Sequence, residues 1–372
     1  MRYAIALVFC LFASQLAAEK TWEPEKTWVF AVGVLEYDAA KLYGSFPKEG
    51  RRDQVFMDTL ETRGVPKANI VFIKDGDATK AKIAAEFEAH VKKAAAGDTL
   101  IVYYAGHGIK DKDRNVYFVP NDAKGGAKEG YTSCWSVSSA FDDIEKHFKG
   151  SSVMVFTDCC HCGGVCTEAG KRQSKIAYAT MVSAHLNTIS TPRWTFTNVL
   201  IDTFGASPLV DTDGNEKVTF AEAAYYAETE MAFFEQQLSV SGVCNGFDRY
   251  TVLSKPAKRT TKRLAECLEG EWDKKWYKCK IIDYKKEGDV EEFKVTWVGY
   301  KAEDDAWMPA SRLRKWKPET HPGGTECEVE AEGKWWKAKI KEHKLGLHLV
   351  HYEGYPDEDD EWVALKRIKV TK

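Results

Sequence analysis

The chain has 372 residues, with 53 Lys and Arg against 56 Asp and Glu and a net charge of −3. So even a balance gives no global basic field, and nucleic acid is not a favoured partner. The length exceeds what one core usually holds and implies two or three domains.

Met1 and Arg2 precede an apolar run over residues 3–13, then Ser14-Gln15-Leu16-Ala17-Ala18. That order predicts a signal peptide over residues 1–18 and a secreted or periplasmic protein. No later stretch reaches the ~20 apolar residues of a membrane span. Residues 19–253 read as one domain. Strands are expected over 28–35, 70–73, 100–104, 153–156 and 176–184, with a last strand over 250–253. Helices are expected over 55–63, after a Thr79 cap, over 140–148 and over 194–204, and residues 116–119 read as a hairpin-like excursion. Strand alternating with helix predicts an α/β fold with a mostly parallel sheet and helical crossovers.

Two of the strands run into chemistry. Leu100-Ile101-Val102-Tyr103-Tyr104 continues as Ala105-Gly106-His107-Gly108. Val153-Met154-Val155-Phe156 continues as Thr157-Asp158-Cys159-Cys160-His161-Cys162-Gly163-Gly164. Open α/β sheets hold their sites where strands end. If these strands are parallel neighbours, His107 and one cysteine come within reach as a thiolate–imidazolium nucleophile. Cys159 and Cys160 point opposite ways if strand geometry persists, so only one serves. Adjacent cysteines cannot easily splay to tetrahedral positions, which disfavours zinc.

Y-Y-A-G-H-G with D-C-C-H-C-G resembles the paired signature of the caspase-like cysteine peptidases, nearest to the metacaspases, over roughly residues 27–253. Their nucleophile pattern is D-S-C-H-S-G. The resemblance implies a six-stranded sheet with helices on both faces, a protein or peptide substrate and no required cofactor. It implies Cys160 as nucleophile, His107 as general base, and an oxyanion hole from the backbone N–H groups of Gly108 and Cys160. Asp158 and Asp53 match the pocket acids that select Arg or Lys before the cut. Cys159 and Cys162 stand where the family has serines, and Arg52 where it has asparagine. Lys171, Arg172 and Lys175 lie where family members are often cut in two, so self-processing is an expectation. Setting Cys10 and Cys160 aside leaves eight cysteines, an even number that permits disulfides without assigning pairs.

Asp211, Asp213, Asn215, Thr219 and Glu222 place side-chain oxygens at positions 1, 3, 5, 9 and 12 of a calcium-type loop, with the Lys217 carbonyl at position 7. Glu216 occupies position 6, where the sharp turn asks for glycine. The segment reads as a calcium site or as the N-terminal turn of a helix.

Residues 254–264 form a basic linker. Beyond it lie eight of the twelve tryptophans and an internal repeat. Trp276-Tyr277-Lys278-Cys279-Lys280-Ile281 recurs as Trp335-Trp336-Lys337-Ala338-Lys339-Ile340, and Gly299-Tyr300 as Gly354-Tyr355. Short alternating strands predict two small β-barrels, over 265–318 and 324–372. Their aromatic and acidic passages resemble Tudor and chromo-barrel modules, which implies an unknown protein or peptide ligand. Caging of a methylated lysine or arginine is the alternative. The combined expectation is an exported cysteine endopeptidase whose barrels recruit substrate or partner. The alternatives are a transpeptidase, a non-catalytic binding scaffold and a methylated-peptide reader.

Overall fold

The computed structural model describes residues 19–125, 129–331 and 333–370. The expected signal peptide lies outside the described residues. The first part of the chain alternates β1 (Thr27–Gly33), α1 (Arg52–Thr62), β2 (Ile70–Lys74), α2 (Lys80–Val91) and β3 (Thr99–Ala105). A small antiparallel excursion follows, made of β4 (Gly108–Lys110), β5 (Val116–Phe118), the short α3 (Glu129–Thr132) and β6 (Trp135–Ser136). The sheet resumes with α4 (Val137–His147), β7 (Ser152–Asp158), α5 (Gly163–Lys171), β8 (Ala177–Val182) and α6 (Thr195–Phe204). The domain closes with β9 (Val218–Thr219), α7 (Phe220–Glu230), β10 (Val240–Cys244) and β11 (Val252–Ser254).

The central sheet has the order β10-β8-β7-β3-β1-β2, parallel except for β10. Alternation along each strand explains why both faces are covered. From β3, Leu100, Val102 and Tyr104 join one core with Ile83 and Phe87 of α2 and Phe141 of α4. Ile101 and Tyr103 join the other with Phe56 of α1 and Phe196 and Phe204 of α6. Thr79 caps α2 as expected, its side chain accepting from the Lys82 N–H.

The last sheet strand differs from expectation. Residues 250–253 do not join the sheet: β11 pairs with β9 in a separate two-stranded ribbon. The sixth strand is β10, antiparallel to β8. Its sequence, Val-Ser-Gly-Val-Cys, is exposed at alternate positions and carries a glycine, as a short edge strand can, and it lacks the apolar run that marks a buried one. The nine cysteines of the described residues are all free thiols.

Two five-stranded antiparallel sheets follow. The first comprises β12 (Cys267–Trp272), β13 (Lys275–Glu287), β14 (Val290–Trp297), β15 (Ala306–Pro309) and β16 (Leu313–Lys315). The second comprises β17 (Glu326–Ala331), β18 (Lys334–Lys344), β19 (Leu347–Tyr352), β20 (Glu361–Ala364) and β21 (Ile368–Val370). Strand orders are β15-β14-β13-β12-β16 and β20-β19-β18-β17-β21, the same path twice. Each long second strand slips register at an equivalent place, between Ile281 and Asp283 and between Ile340 and Glu342. Such a bulge bends the strand and lets so small a sheet curl around its core. Among the described residues no helix is long and apolar enough to cross a membrane.

Candidate active site

β3 and β7 are adjacent and in register to their ends, Ala105 opposite Asp158, so the chain leaves the sheet beside itself at Gly106 and at Cys159. After Cys160 the backbone turns sharply. His161 adopts φ +58, its N–H donates to the Thr188 carbonyl (3.1 Å) and its Nδ1–H to the Leu186 carbonyl (2.8 Å). A left-handed residue between strand and helix puts Cys160 at the tip of the turn. Gly108 packs directly on that tip. A Cβ there would stand 2.2 Å from the Cys160 carbonyl oxygen and 3.0 Å from the Cys159 sulfur, so the position needs glycine for close approach.

The two cysteines separate as strand geometry predicts. Cys159 is 2 % exposed and belongs to the core, whereas Cys160 is partly exposed. Cys162 is buried, its sulfur accepting the Ala184 N–H at 3.2 Å. His107 is half-buried against Phe46 and Tyr37, ring centroids 4.6 and 5.0 Å away. Its Nε2 lies 2.7 Å from the Gly44 carbonyl oxygen, which can only accept. Nε2 therefore carries the hydrogen and Nδ1 is the basic nitrogen.

The expected ion pair is not formed in this structure. The hydrogen-bond partner of the Cys160 thiol is Ser190, whose N–H donates to the sulfur at 3.3 Å while the S–H points at the Ser190 carbonyl (3.9 Å). Burial pushes the Cys160 thiol up to about 11, against the help of the Ser190 N–H, and burial lowers His107 despite the Gly44 carbonyl. Both groups therefore rest neutral near pH 7, because desolvation penalises each charged form.

Beside Cys160 lies a cavity of about 310 Å³, walled by Leu35, Phe46 and the loop Ser190 to Trp194, with Asp158 at its floor. Asp158 is 9 % exposed, accepts the Thr197 hydroxyl at 2.8 Å, and is pushed by burial up to about 6. Asp53 is elsewhere. It is fully buried, with both oxygens held by Arg51 at 2.8 and 2.7 Å, and Arg51 also grips Asp75. The cation beside Asp53 is thus Arg51, while Arg52 donates to Asn198 (2.6 Å).

Several residues of this site carry no sequence signal. Ser190, Thr191 and Arg193 lie on a loop without a motif, and that loop is braced by Glu235, the last residue of a π-helical turn over Met231–Glu235, and by Gln237 just beyond it. The Thr191 N–H donates to Gln237 Oε1 (3.0 Å), and Gln237 Nε2 donates to the Ser183 carbonyl (2.8 Å).

The other expected sites are placed as follows. Lys171 and Lys175 are exposed, but Arg172 is only 12 % exposed at its side chain, tied to Glu168, Asp142 and the Ser138 carbonyl and lying over Phe141. In the acidic loop, one ligand-type oxygen each of Asp211, Asp213 and Glu222 falls within 4.8 Å of the others. Asp211 already accepts the N–H groups of Gly214, Asn215 and Glu216. Asn215 bonds Asp213, and Thr219 with Glu222 forms a capping box that starts α7. Glu216 adopts φ +65, so the turn is made despite its Cβ. The Lys217 ammonium pairs with Glu19 outside the loop, at 2.5 Å.

Each barrel carries an aromatic cavity. In the first, of about 310 Å³, Trp272, Tyr277, Trp297 and Tyr300 stand around Asp304. Tyr277 is nearly perpendicular to both Trp297 (89°) and Tyr300 (88°). In the second, of about 250 Å³, the walls are Trp336, Tyr352 and Tyr355, but Lys110 and Asn187 of the first domain also line it.

Among curated proteins none matches the chain. A crystal structure of protein GSU0716 from Geobacter sulfurreducens aligns with a TM-score of 0.43 at 13% identity, covering 62% of this chain and 99% of that one. A crystal structure of AGDP1 AGD34 from Arabidopsis thaliana aligns with a TM-score of 0.14 at 12% identity, covering 29% of this chain and 81% of that one. The caspase domain family, Peptidase_C14, matches residues 53–265, which is more than half of the chain and takes in the Cys160 and His107 loops. On that match, together with a six-stranded, mostly parallel sheet flanked by helices, the chain belongs to the caspase domain family.

Proposed function

We propose that the protein is a cysteine endopeptidase that uses Cys160 and His107 to cut after Arg or Lys, with the barrels recruiting a protein substrate or partner. The observation that carries this reading is the orientation of His107. The Gly44 carbonyl takes the Nε2 hydrogen and leaves a basic Nδ1 on the loop beside Cys160. A neutral pair can still react, because the proton moves when the carbonyl carbon arrives. Nδ1 takes the Cys160 proton as sulfur attacks, and the backbone N–H groups of Gly108 and Cys160 receive the developing oxyanion. His107 then protonates the leaving amine, and water hydrolyses the thioester. The buried Asp158 carboxylate supports basic specificity, since a guanidinium entering the cavity makes charge-assisted hydrogen bonds with it.

The test is hydrolysis of fluorogenic peptides with Arg, Lys, Asp or Asn before the cut, with and without calcium. Cleavage after Arg or Lys that survives Cys159→Ala and vanishes in Cys160→Ala is expected. With Asp158 titrating at about 6, KM for these peptides rises as pH falls through 6, where the carboxylate is protonated and its attraction lost. Failure to cut any peptide would favour the second reading, a binding scaffold, which the raised thiol and the unformed Cys160–His107 bond support.

For the first barrel we propose a cationic side chain as ligand, methylated lysine or arginine included. Four rings about one acid suit a soft cation through cation–π attraction. Calcium is proposed for the Asp211, Asp213, Glu222 cluster, with stabilisation to heat on calcium addition as its test. Self-cleavage is proposed after the exposed Lys171 or Lys175. An intact mass after prolonged incubation would count against it.

A further inference from the structure

The cavity beside Cys160 carries a contradiction if it takes a basic side chain. Besides Asp158 and Glu49, its lining includes a cation, Arg193. A flexible guanidinium so near a buried carboxylate would ordinarily fold in and neutralise it. Arg193 does not. Its side chain is 57 % exposed at the rim, and its partner is Glu235, at 3.9 Å.

Glu235 is built to hold that position. Its side chain is only 3 % exposed. The Thr191 hydroxyl donates to one of its oxygens (2.8 Å) and the Thr195 hydroxyl to the other (2.5 Å), which fixes the carboxylate behind the cavity wall. A carboxylate buried this deeply needs a cation, and among the described residues Arg193 is the one at ion-pair distance. Asp53, the second pocket acid expected from sequence, does not line the cavity and is already compensated, because Arg51 holds both its oxygens.

We propose that Glu235 determines the charge selectivity of the Cys160 cavity by holding the Arg193 guanidinium at the rim, so that Asp158 meets the substrate as an uncompensated acid. The inference rests on the reading that the cavity selects Arg or Lys. Glu235 acts through Arg193 and the loop, not by touching the substrate, and is a specificity-determining residue in that sense. Removing its charge frees Arg193 to pair with Asp158 and fill the cavity from within.

The experiment compares wild type, Glu235→Gln, Arg193→Ala and the double variant, all as full chains. Glu235→Gln removes the charge and keeps one accepting oxygen, so one threonine hydroxyl still donates to it while the other must turn to accept from the amide NH2. Two readouts are taken: kcat/KM for Arg against Asn before the cut, and calorimetric binding of agmatine, which needs no turnover. Glu235→Gln is expected to lower the Arg preference and the agmatine affinity about tenfold, the scale of one charge-assisted contact, chiefly through KM. Adding Arg193→Ala restores both, because the competing cation is gone. Unchanged preference in Glu235→Gln overturns the inference, and so does a loss that Arg193→Ala fails to rescue, which would mean that Glu235 only anchors Thr191 and Thr195. A wild type that neither prefers Arg or Lys nor binds agmatine overturns the basic-specificity reading itself, and the inference with it.

Discussion

The two barrels have the same strand path and the same bulge, yet they meet the first domain in different ways. The first is fastened by a buried ion pair together with ring contacts, Trp316 edge-on to Phe233 at 4.9 Å and the Lys278 ammonium over the same ring at 5.2 Å. Lys280 of β13 reaches Glu230 at 2.6 Å and the Tyr226 hydroxyl at 2.9 Å, with both charged side chains under a tenth exposed. Its aromatic cavity is lined only by its own residues. The second barrel is joined instead by apolar packing, a partly exposed ion pair and hydrogen bonds from a site loop. Leu347, Trp362 and Ala364 pack against Ala232 and Leu238, Arg114 pairs with Asp359 at 3.3 Å, and Asn187 donates to the carbonyls of Glu358 and Asp360 at 2.8 and 2.9 Å. Its cavity is closed in part by Lys110 and Asn187, and its acids are already paired, Asp359 with Arg114 and Glu361 with Arg367. One repeat thus keeps four rings and an acid, Asp304, that accepts the Lys301 N–H rather than pairing with a cation, while the other has its acids compensated. The difference teaches that a duplicated module divides its work by what its loops are pressed against.

The largest effect should come from breaking the first joint. Lys280→Ala strands the Glu230 carboxylate in a dry contact, and a broken buried pair costs about 3–5 kcal/mol. Thermal unfolding of the full chain should therefore fall by many degrees, and an unchanged midpoint would show that water reaches the pair. Next comes the cavity contrast. Tyr277→Ala is expected to weaken binding of a trimethyl-lysine peptide by about 2 kcal/mol, roughly thirtyfold by calorimetry. Trp336→Ala should leave that binding unchanged, because Lys110 lines the second cavity and its acids are already paired with arginines. Equal losses in both variants would erase the distinction.

A smaller effect is expected at the hinge of the second joint. Asn187 lies three residues before Ser190, whose N–H holds the Cys160 sulfur. Asn187→Ala removes two hydrogen bonds worth about 1 kcal/mol each, so the Ser190 amide should exchange faster and kcat/KM should drop severalfold. Exchange confined to the barrel would disconnect it from the site. Smallest is Arg114→Ala. Its pair with Asp359 is partly exposed, at 30% and 41%, and such pairs contribute about 0–1 kcal/mol. The melting temperature should barely move.

Much of this was legible in the chain itself. Runs such as 100–104 and 153–156 announce buried strands because every residue is apolar. A histidine between two glycines and a cluster of cysteines at their ends announce chemistry, although Cys159 and Cys162 turn out to be buried in the core. The repeat of Trp276 to Ile281 at Trp335 to Ile340 announced two similar barrels. What stayed illegible depends on which side chain another reaches across tens or hundreds of residues. Nothing in Asp53 reveals that Arg51 will occupy it, and nothing in Glu235 reveals Thr191, Thr195 and Arg193 around it. The short edge strand β10 escaped notice because one half-exposed face and a glycine leave no hydrophobic run to read.

Local pattern therefore determined the elements, the order of strands and helices and the reactive loops, since periodicity and turn chemistry act over a few residues. Tertiary structure alone decided the charge state of the site. Burial sets the Cys160 thiol and Asp158 carboxyl, and the partners that compensate Asp53 and Glu235 are assigned only when the chain closes on itself, because desolvation and Coulomb attraction depend on distance in space and not along the sequence.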